Sequence, residues 1–453
     1  MLSENIAVVI LAAGKGTRMR SARSKVLHNV GNRPLLGHVL HTAETLNAGK
    51  VIVVVGPDMD DVAEVAAPYP VVVQEKQRGT ADAVKPARDA LNGFLNGTVF
   101  ILYGDTPFIR PETLDAMLKQ RATGSDIVVL GFRPADPAAY GRLILGEGQS
   151  LERIVEFSEA NDDEKAVDLC NSGVLAVDAA RLFPLIDQVR DDNEKGEFYL
   201  TDIVALARQE NASCTVVEAE ADELQGINSR SDLAVAEGYW QQQQREAVMD
   251  SGVTLLDPAT VYFSYDTRIE PDVTVGPNVV FGPGVTVARN SEIRAFCHLE
   301  GATVGEGVTV GPFARLRPGA VLEKGAFVGN FVEVKNAVLG AGAKASHLSY
   351  IGDTDVGEKA NIGAGTITCN YDGFFKYRTT IGKGAFIGSN SALVSPVNIG
   401  DGAIVAAGSV ITADVSSSAL ALGRGIQAEK PGWAQAFRTE QQSKKDRLKH
   451  DKD

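Results

Sequence analysis

The sequence predicts an α/β domain followed by an all-β domain, a parallel β-helix. Two observations carry this prediction. Short apolar runs alternate with amphipathic stretches over residues 1–228, and large apolar residues recur with a period of six from Ile269 to Ile411. A helical pattern lies between these regions. We therefore divide the 453 residues into an α/β domain (1–228), a linker helix (229–250) and a β-helix domain (251–453).

The first 228 residues contain the strand and helix candidates of the α/β domain. The strand candidates are Ile6–Ala13, Lys50–Val55, Val71–Val73, Thr98–Tyr103 and Ile127–Phe132, and Pro34–Leu46 and Pro111–Gln120 are amphipathic stretches between them. This alternation predicts a mainly parallel sheet. Ligands of such sheets bind at the carboxyl ends of the strands, so the residues after each strand are the first candidates for a site.

A glycine-rich loop follows the first strand candidate. Residues Leu11–Met19 form neither a Walker A loop nor a dinucleotide fingerprint, because no Gly-Lys-Ser/Thr closes the loop and position 19 is Met. The glycines allow backbone amides to approach an anion, and Lys15, Arg18 and Lys25 add positive charge. Plain turn chemistry is an equally good explanation of this loop alone.

A second motif is the apolar run Phe100–Tyr103, which ends in Gly104 and Asp105. At the end of a strand, a carboxylate can ligate a hard cation beside a polyphosphate. The alternative is that Asp105 caps a helix before Thr106–Pro107. Together the two motifs predict nucleotide chemistry.

Further motifs complete a resemblance to a known family. They are Gln74 with Gly79-Thr80, Tyr140-Gly141-Arg142, Glu156, Asn171-Ser172-Gly173, Glu197–Asp202 and Gly226–Arg230. In this order, the motifs resemble those of the sugar-phosphate nucleotidyltransferases, and in particular the amino-terminal half of the bacterial bifunctional enzymes that make UDP-N-acetylglucosamine. The resemblance implies a Rossmann-like domain that transfers uridylyl from UTP to N-acetylglucosamine 1-phosphate and releases pyrophosphate.

The resemblance also implies roles for individual residues. Asp105 and Asn228 would hold Mg²⁺, Arg18 and Lys25 the phosphates, Gln74 and Gly79-Thr80 the uracil, and Gly141, Glu156 and Asn171 the sugar. The other expected members of the UTP and UDP-sugar site are Leu11, Ala12, Ala13, Gly14, Tyr103 and Gly104. Two positions depart from the family pattern, since Ser24 stands where relatives usually carry Pro and Asp82 where they carry His. These departures bear on loop geometry and on the detail of the base site.

The linker pattern predicts a helix from about Ser231, as its cap, to Met249, where Ser251-Gly252 ends it. At 1.5 Å per residue this helix is about 30 Å long. We interpret it as a rigid arm with Gln241–Gln244 on an exposed face.

The six-residue period defines a set of anchor positions. In steps of six, they occupy Ile269–Leu299, Val304–Val334, Leu339–Ile351, Val356–Thr368 and Ile381–Ile411. All anchors except Ala345 and Thr368 are Ile, Val, Leu or Phe, and half precede Gly. The slips fall after multiples of three repeats, so the unit is a triangular coil of about 18 residues, typical of a parallel β-helix. An antiparallel alternation does not explain a period of six.

The repeat is interrupted at Thr368–Thr380, where thirteen residues replace one hexad. The polar residues near this break are Lys335, His347, Tyr350, Asn361, Asn370, Tyr371 and Lys376. Irregularity in a repeat often marks a functional site. An imidazole suits proton removal from an amine at neutral pH, and Arg317 with Lys335 could clamp a phosphate. The alternatives are a solvated histidine and a β-helix that is only a scaffold.

Four motifs of the β-helix resemble the acetyltransferase half of the same bifunctional enzymes. They are Leu316-Arg317-Pro318, Asn330–Lys335, Lys344–Tyr350 and Asn361–Gly373. With the first half, the resemblance covers nearly all of residues 6–433. It implies a left-handed β-helix of hexapeptide repeats, a homotrimer, and a site between subunits.

The same resemblance implies the chemistry of this second site. His347 would be the general base that frees the amine of glucosamine 1-phosphate to attack acetyl-CoA, Arg317 and Lys335 would bind the sugar phosphate, and Tyr350, Asn361 and Lys376 would place the sugar. Ala364, Asn370, Tyr371, Ser389, Ala407 and Arg424 would line the acetyl-CoA groove, with the Ala364 amide as an oxyanion donor. Acetylation would come before uridylylation, and the product would be a precursor of peptidoglycan and lipopolysaccharide.

Composition limits the partners. A formal net charge of -14 argues against nucleic acid and anionic membranes, although local basic clusters still permit anionic small substrates. The four cysteines lack metal-ligand spacing and no targeting segment is visible, which together indicate a reduced, cytoplasmic protein. Ten of the sixteen residues at 438–453 are acidic or basic, and we expect this tail to be disordered.

Two other interpretations stay open at this point. One is a single-activity nucleotidyltransferase with a regulatory β-helix, as in ADP-glucose pyrophosphorylase-like chains, which usually have shorter helices and lack the His347 and Asn361–Gly373 motifs. The other is a trimeric scaffold with a degenerate sugar-binding domain, which the intact Arg18, Lys25, Asp105 and Asn228 disfavour.

Overall fold

The computed structural model describes residues 5–137 and 140–450, and this chain forms two compact units. The first unit ends at Glu246 and also contains Phe263–Tyr265. The second comprises Ala247–Tyr262 and the chain from Asp266 onward.

The first unit alternates strands and helices. Its strands are β1 (Ile6–Leu11), β2 (Asn29–Val30), β3 (Arg33–Pro34), β4 (Lys50–Val55), β5 (Val71–Val73), β6 (Thr98–Tyr103), β7 (Ile127–Phe132), β8 (Arg142–Leu145), β9 (Leu151–Val155), β10 (Cys170–Asp178) and β11 (Cys214–Glu218). Its helices are α1 (Leu35–Thr45), α2 (Asp60–Ala66), α3 (Thr80–Val84), α4 (Ala87–Ala90), α5 (Pro111–Ala122), α6 (Asp162–Lys165), α7 (Ala179–Ile186) and α8 (Asp202–Gln209), and α9 (Arg230–Asp250) begins in this unit. Single 3-10 turns lie at Thr17–Met19, Lys25–Leu27, Glu147–Gln149 and Ala221–Glu223.

One nine-stranded sheet forms the centre of this unit. Its order is β11-β7-β10-β6-β1-β4-β5, and β8 and β9 extend it from β10. Strand β1 is parallel to both β4 and β6, whereas β10 is antiparallel to β6 and β7. Alternate residues of each strand enter two different apolar layers, with Val9 and Ile101 in one and Val8 and Phe100 in the other. The sheet is therefore buried on both faces, and the α/β prediction is confirmed.

The predicted elements of this unit agree closely with the observed ones. Strands β4 to β7 have the predicted bounds, β1 ends two residues before the predicted Ala13, and α1 and α5 differ from the predicted helices by at most two residues at either end. Strands β8 to β11 were not predicted. Their outward positions carry charged or small polar residues, such as Glu152, Arg153 and Thr215, which interrupt the apolar runs on which the prediction depended.

Helix α9 differs from its prediction in two respects. The cap is Ser229, not Ser231, because the Ser229 hydroxyl accepts a hydrogen bond from the Asp232 amide at 3.1 Å while the Asp232 carboxylate accepts one from the Ser229 amide at 2.9 Å. Gln241 is buried, not exposed, and its side chain exchanges two hydrogen bonds with the backbone of Phe263. A buried glutamine is tolerated here because both ends of its amide are satisfied.

The second unit consists of short strands and two-residue bridges in three sheets. The first sheet contains β12 (Thr254–Leu255), β14 (Thr274–Val275), β17 (Glu292–Ile293), β20 (Thr309–Val310), β23 (Phe327–Asn330), β26 (Lys344–His347), β29 (Asn361–Ile362), β32 (Phe386–Ile387), β35 (Ile404–Val405) and β37 (Leu420–Ala421). The second contains β13 (Arg268–Ile269), β16 (Thr286–Val287), β19 (Ala302–Val304), β22 (Ala320–Leu322), β25 (Val338–Leu339), β28 (Thr354–Val356), β31 (Thr379–Ile381) and β34 (Val397–Ile399). The third contains β15 (Val280–Phe281), β18 (His298–Leu299), β21 (Arg315–Leu316), β24 (Glu333–Lys335), β27 (Tyr350–Gly352), β30 (Ile367–Cys369), β33 (Ala392–Val394) and β36 (Val410–Ile411), and a 3-10 turn lies at Pro258–Thr260.

This arrangement is a three-sided parallel β-helix. Each strand pairs in parallel with the third strand after it over most of the length, as β20 pairs with β23 and β23 with β26. Every anchor position is buried except Ile269, which is half-buried in the first coil, and the small residues four positions after the anchors, such as Val279 and Ala326, share the interior. The six-residue period therefore predicted the core correctly.

The interruption of the repeat is confined to one coil. Leu339 pairs with Val356, 17 residues further on, whereas Val356 pairs with Ile381, 25 residues further on. The extra residues form a loop between β30 and β31. This loop is closed by Asp372, whose carboxylate accepts hydrogen bonds from the amides of Phe374 and Phe375 at 2.8 and 2.7 Å.

The tail prediction is wrong for the residues that the structure describes. A helix, α10 (Trp433–His450), replaces the expected disorder up to His450, and residues 451–453 lie outside the described part of the chain. Lys, Arg, Glu and Gln are good helix formers even when no core covers them, and a Lys444–Glu440 ion pair at 2.7 Å spans one turn. No helix in the described ranges is both long and apolar enough to cross a membrane. All four cysteines are free thiols.

Candidate active sites

A cavity of about 380 Å³ opens at the carboxyl ends of β1, β5 and β6. Residues from the glycine-rich loop, the segment after β5 and the end of β6 line it: Leu11, Ala12, Ala13, Gly14, Lys15, Lys25, Val26, Gln74, Gln77, Gly79, Thr80, Ala83, Tyr103, Asp105 and Glu197. Ten of the sequence-predicted site residues are among them. The sheet order explains this convergence, since β1 lies between β6 and β4, and β5 is the next strand.

Two oxygen ligands meet at one end of this cavity. The Lys25 ammonium contacts the Asp105 carboxylate and also donates a hydrogen bond to Asn228 Oδ1 at 3.0 Å. Because one cationic group reaches both oxygens, the pair could also hold a divalent cation. In the described residues no three His, Cys, Asp or Glu side chains form a metal cluster, and Mg²⁺ is commonly held by one or two protein oxygens together with substrate phosphates. Asp105 and Asn228 therefore fit Mg²⁺.

Asp105 is not a helix cap. The next helix, α5, begins six residues later at Pro111, and the Thr106 amide donates to the Tyr103 carbonyl at 3.3 Å. Asn228 is fixed by the start of α9, because its amide donates to the Asp232 carboxylate at 2.9 Å. The cap of α9 thus helps to present Asn228 to Lys25.

The segment after β5 forms the wall of the cavity at which we expected the uracil to bind. Gly79 has φ +118°, and a Cβ at this position would lie 2.5 Å from the Phe198 carbonyl oxygen, so only glycine fits. The Gln74 side chain is buried and donates to the Gly79 carbonyl and to Asp82, both at 3.1 Å. The Thr80 hydroxyl accepts a hydrogen bond from the Leu200 amide at 2.9 Å. Asp82, one of the two departures from the family pattern, is thus part of this wall.

The expected sugar contacts lie beyond Tyr103 and do not line the cavity. The Asn171 amide donates to the Gly141 carbonyl at 2.8 Å, and Gly173 packs against the Tyr103 ring. Burial raises the pKa of Tyr103, and the nearby charges of Asp105 and Glu156 raise it further. Burial also raises the pKa of Glu156, whose carboxylate accepts a hydrogen bond from the Thr201 hydroxyl at 3.2 Å. Tyr103 therefore connects the cavity to the group of Gly141, Glu156 and Asn171.

Arg18 and Gly104 were predicted for this site but do not line the cavity, and some residues that line it were not predicted. Arg18 is exposed in the turn Thr17–Met19, and Gly104 packs against Val26 and Ala12 behind the lining. Val26, Gln77, Ala83 and Glu197 line the cavity without having been assigned to it. The Gln77 amide donates to the Ala13 carbonyl, a contact over 64 positions that sequence spacing cannot show. The position of Gln77 inside the Gln74–Gly79 segment was the only sign in the sequence that it lines the cavity.

The β-helix carries a second group of polar residues around the inserted loop. Lys335 follows the anchor Val334, and the neighbouring Lys376 amine from the loop, together with its charge and that of Arg317, holds the pKa of Lys335 below its usual range. Arg317 forms an ion pair with Glu333 at 2.8 Å. Three cations that repel one another in this way can bind an anion such as a phosphate.

His347 lies at a different corner of the same coils. Its Nδ1 is 2.6 Å from Asn330 Oδ1, its partner in the β23–β26 register. Because this oxygen accepts, we assign the proton to Nδ1, which leaves Nε2 as the free base. Lys335 lies at the end of the third-sheet strand β24, whereas His347 lies before the start of the third-sheet strand β27. The third sheet therefore lies between His347 and the cationic group formed by Arg317, Lys335 and Lys376. Asn330 was quoted as part of a motif but was missed as a site residue.

Several predicted acetyl-CoA residues form one column. His347, Ala364, Ser389 and Ala407 each stand two residues after an anchor, and their anchors pair in successive coils. The Asn390 amide donates to the Ala364 carbonyl at 2.7 Å, and Arg424 donates to the Ala407 carbonyl at 2.7 Å. The column thus runs along one corner from the histidine to Arg424.

The remaining predicted residues lie in the first and third sheets and in the inserted loop. Tyr350 and Asn361 are half-buried on β27 and β29. Asn370 is buried, and its amide contacts the Asp353 carboxylate and the Tyr350 hydroxyl, the latter at 3.5 Å. Tyr371 is exposed in the inserted loop and donates to the Gly373 carbonyl at 2.5 Å.

The α/β unit has a cavity at its strand ends, and the hexad-repeat β-helix carries a separate candidate site at His347. Together these features define the chain as a two-site transferase. Family models agree. The MobA-like NTP transferase domain matches residues 8–193, the bacterial transferase hexapeptide (six repeats) matches 266–301, and the hexapeptide repeat of succinyl-transferase matches 378–413. These matches support the left-handed form of the parallel β-helix.

Three relatives match over almost the whole chain. The bifunctional protein GlmU of Paramagnetospirillum magneticum is 56% identical over 447 residues (98% of this chain and 99% of the relative). Those of Rhodospirillum rubrum and a Ruegeria species are 56% identical over 434 residues (95% and 97%) and 54% identical over 432 residues (94% and 96%). The chain belongs to the family of bifunctional GlmU proteins. It is a bifunctional enzyme of UDP-N-acetylglucosamine synthesis, with uridylyltransferase and glucosamine-1-phosphate acetyltransferase activities, and the single-activity and scaffold interpretations are set aside.

Proposed function

We propose that the two activities occupy separate parts of the chain, with uridylyl transfer in residues 1–228, the linker helix at 229–250, and acetyl transfer in residues 251–453. The observation that carries the proposal is that the chain holds two constellations of different chemistry. The first is the pair of oxygens from Asp105 and Asn228, which meet at Lys25 beside the cavity at the strand ends, and the second is the His347 imidazole hydrogen-bonded to Asn330.

In the first site, the substrates are UTP and N-acetylglucosamine 1-phosphate. A sugar phosphate oxygen is already a competent nucleophile, so the protein has to position the reactants and neutralise charge. Mg²⁺, held by Asp105 and Asn228, would supply neutralisation of the triphosphate. Lys25 binds phosphate oxygens from the cavity wall and Arg18 binds them from its exposed turn, and the sugar contacts Gly141, Glu156 and Asn171. Leu11–Gly14, Gln74, Gly79, Thr80 and Tyr103 enclose the nucleotide, and Gly104 supports them from behind.

In the second site, the substrates are glucosamine 1-phosphate and acetyl-CoA. His347 Nε2 takes a proton from the amine as the nitrogen attacks the thioester carbon, which forms the C–N bond and a tetrahedral oxyanion. The carbonyl then re-forms and the C–S bond breaks. The proton then passes to the departing thiolate. Arg317, Lys335 and Lys376 hold the phosphate, Tyr350 and Asn361 place the sugar, and the Ala364 amide stabilises the oxyanion. Acetyl-CoA lies along the column of Ala364, Ser389, Ala407 and Arg424, beside Asn370 and Tyr371.

The assembly we propose is a homotrimer with the acetyl-transfer site between subunits. Phe296, Phe313, Phe331 and Leu348 stand three residues after successive anchors, directly beside the histidine column, and each is about half exposed. Two pairs of these rings stack, with centroids 4.8 and 5.1 Å apart. A continuous exposed apolar ladder next to a catalytic histidine supports burial by a second copy of the chain. UTP and acetyl-CoA are cytoplasmic metabolites, so we place the enzyme in the cytoplasm.

The experiment crosses two variants with two assays. For His347→Ala we expect thiol release from acetyl-CoA to fall by about 10²-fold or more, while pyrophosphate release from UTP is unchanged. For Asp105→Asn we expect the opposite pattern, because one charged ligand is lost. His298→Ala removes another exposed β-helix histidine and is the matched control. Loss of both activities in either variant would contradict the assignment of separate sites.

A further inference from the structure

We infer that Asp82 is a positioning residue that sets the base specificity of the uridylyl-transfer site. Asp82 fixes the Gln74 amide so that only its oxygen is offered to the base. The inference rests on the proposed function, in which the cavity beside Gln74 takes the base of UTP.

The Gln74 amide nitrogen has both of its hydrogens committed. The side chain is 4% exposed, and Nε2 donates to the Gly79 carbonyl at 3.1 Å and to Asp82 Oδ2 at 3.1 Å. A carbonyl and a carboxylate can only accept hydrogen bonds. Rotating the amide by half a turn would place Gln74 Oε1 against two acceptors, and the Gln74 NH₂ group would lose both of its hydrogen bonds. The amide orientation therefore follows from its partners, not from the fit of atoms alone.

Asp82 is itself held in place. It is 8% exposed on α3, and its carboxylate accepts hydrogen bonds from the Arg78 amide at 3.4 Å and from the Arg78 guanidinium at 3.1 Å. The Arg78 side chain is about half exposed, so it neutralises the carboxylate from the solvent side. The buried side of Asp82 is left to orient Gln74.

The orientation of Gln74 determines which base edge can bind. With Nε2 committed, Oε1 is the polar atom that Gln74 can present to the cavity it lines. An acceptor suits the N3–H of uracil, whereas cytosine has an unprotonated N3 that also accepts. Two acceptors facing each other lose a hydrogen bond and leave a buried group unpaired, the kind of mismatch that discriminates strongly. Thymine keeps the N3–H, so this contact does not distinguish uracil from thymine.

The test measures kcat/KM for UTP, CTP and TTP in the wild type and in Asp82→Leu, Asp82→Ser and Asp82→Asn. Leu removes one of the two acceptors, and Ser can donate as well as accept. In both variants only the Gly79 carbonyl still favours the wild-type orientation, so the amide can rotate more readily and offer its NH₂ to cytosine. We expect the UTP-to-CTP ratio to fall about tenfold or more in both variants. The change should lie in KM and not in kcat, because the base is remote from the reacting phosphorus. The UTP-to-TTP ratio should stay constant.

Two variants separate positioning from a merely structural role. Asp82→Asn keeps an oxygen that can accept from Gln74, so we expect it to retain most of the wild-type ratio. Arg78→Ala breaks the ion pair but leaves the Asp82–Gln74 contact, so its ratio should equal that of the wild type. A wild-type ratio in folded Asp82→Leu or Asp82→Ser, or an Arg78→Ala ratio as low as theirs, would overturn the inference. Failure of the wild type to use UTP would instead overturn the proposed function.

Discussion

The hydrogen bond between Asn330 and His347 allows a quantitative test of the proposed acetyl-transfer site. We expect Asn330→Ala to lower kcat for thiol release by about tenfold. The variant removes the oxygen that accepts from Nδ1 at 2.6 Å. Because His347 is exposed, water can accept the hydrogen bond instead, but water does not hold the ring in one orientation. A single hydrogen bond has a net worth of about 1 to 1.4 kcal/mol, which corresponds to a factor of roughly 5 to 10 in rate.

The size of this effect distinguishes orientation from chemistry. Loss of the base itself in His347→Ala should cost about 10² to 10⁴ in rate, far more than loss of its partner. Asn330→Asp keeps an acceptor for Nδ1–H and should retain more activity than Asn330→Ala. The assay follows free thiol with glucosamine 1-phosphate in excess, and pyrophosphate release on the same preparation controls for folding. Wild-type kcat in Asn330→Ala would refute the role of this hydrogen bond.

The cationic group and the aromatic ladder give two further predictions. Lysine binds a phosphate only when it is protonated, and Lys376 lowers the pKa of Lys335. The KM for glucosamine 1-phosphate should therefore rise with pH, starting below the usual range of a lysine. In Lys376→Met this rise should move to higher pH, and an unmoved profile would exclude the coupling. If the chain forms the proposed trimer, Phe313→Ser should shift it towards monomer at micromolar concentration, because each buried phenylalanine contributes about 1.5 to 3 kcal/mol. Light scattering measures the mass of each variant, and Val280→Ser, at another partly exposed apolar residue, is the control. A wild-type mass for Phe313→Ser as well as for the control would contradict this prediction.

The sequence predicted those features that depend on local periodicity. The anchors from Val275 to Ile411 are all buried because each coil repeats the same inward position, and strands such as Lys50–Val55 are continuous apolar runs bounded by polar residues. Elements that depend on partners elsewhere in the chain were not predicted. Gln241 is buried because the Phe263 backbone satisfies it. Ser229, not Ser231, caps α9 because Asp232 returns its hydrogen bond.

The candidate sites show the same limit. Motifs predicted Asp105, Asn228 and His347, whose residue types suit the proposed chemistry. They did not identify Gln77 or Asn330, because these side chains act through contacts made 64 and 17 positions away. Nor did they show what Asp82 does, since the consequence of that substitution depends on the orientation of Gln74.

The inserted loop between β30 and β31 has a consequence for how this kind of protein can change. Val356, Ile362 and Thr368 each pair with an anchor 25 positions later, so the register is restored on all three sides within a single turn. Since each turn of a solenoid contacts only its neighbours, a longer or shorter loop here leaves the stacking of every other turn intact. Loop length and scaffold stability can therefore vary independently, and new side chains can be brought to the substrate without redesign of the core.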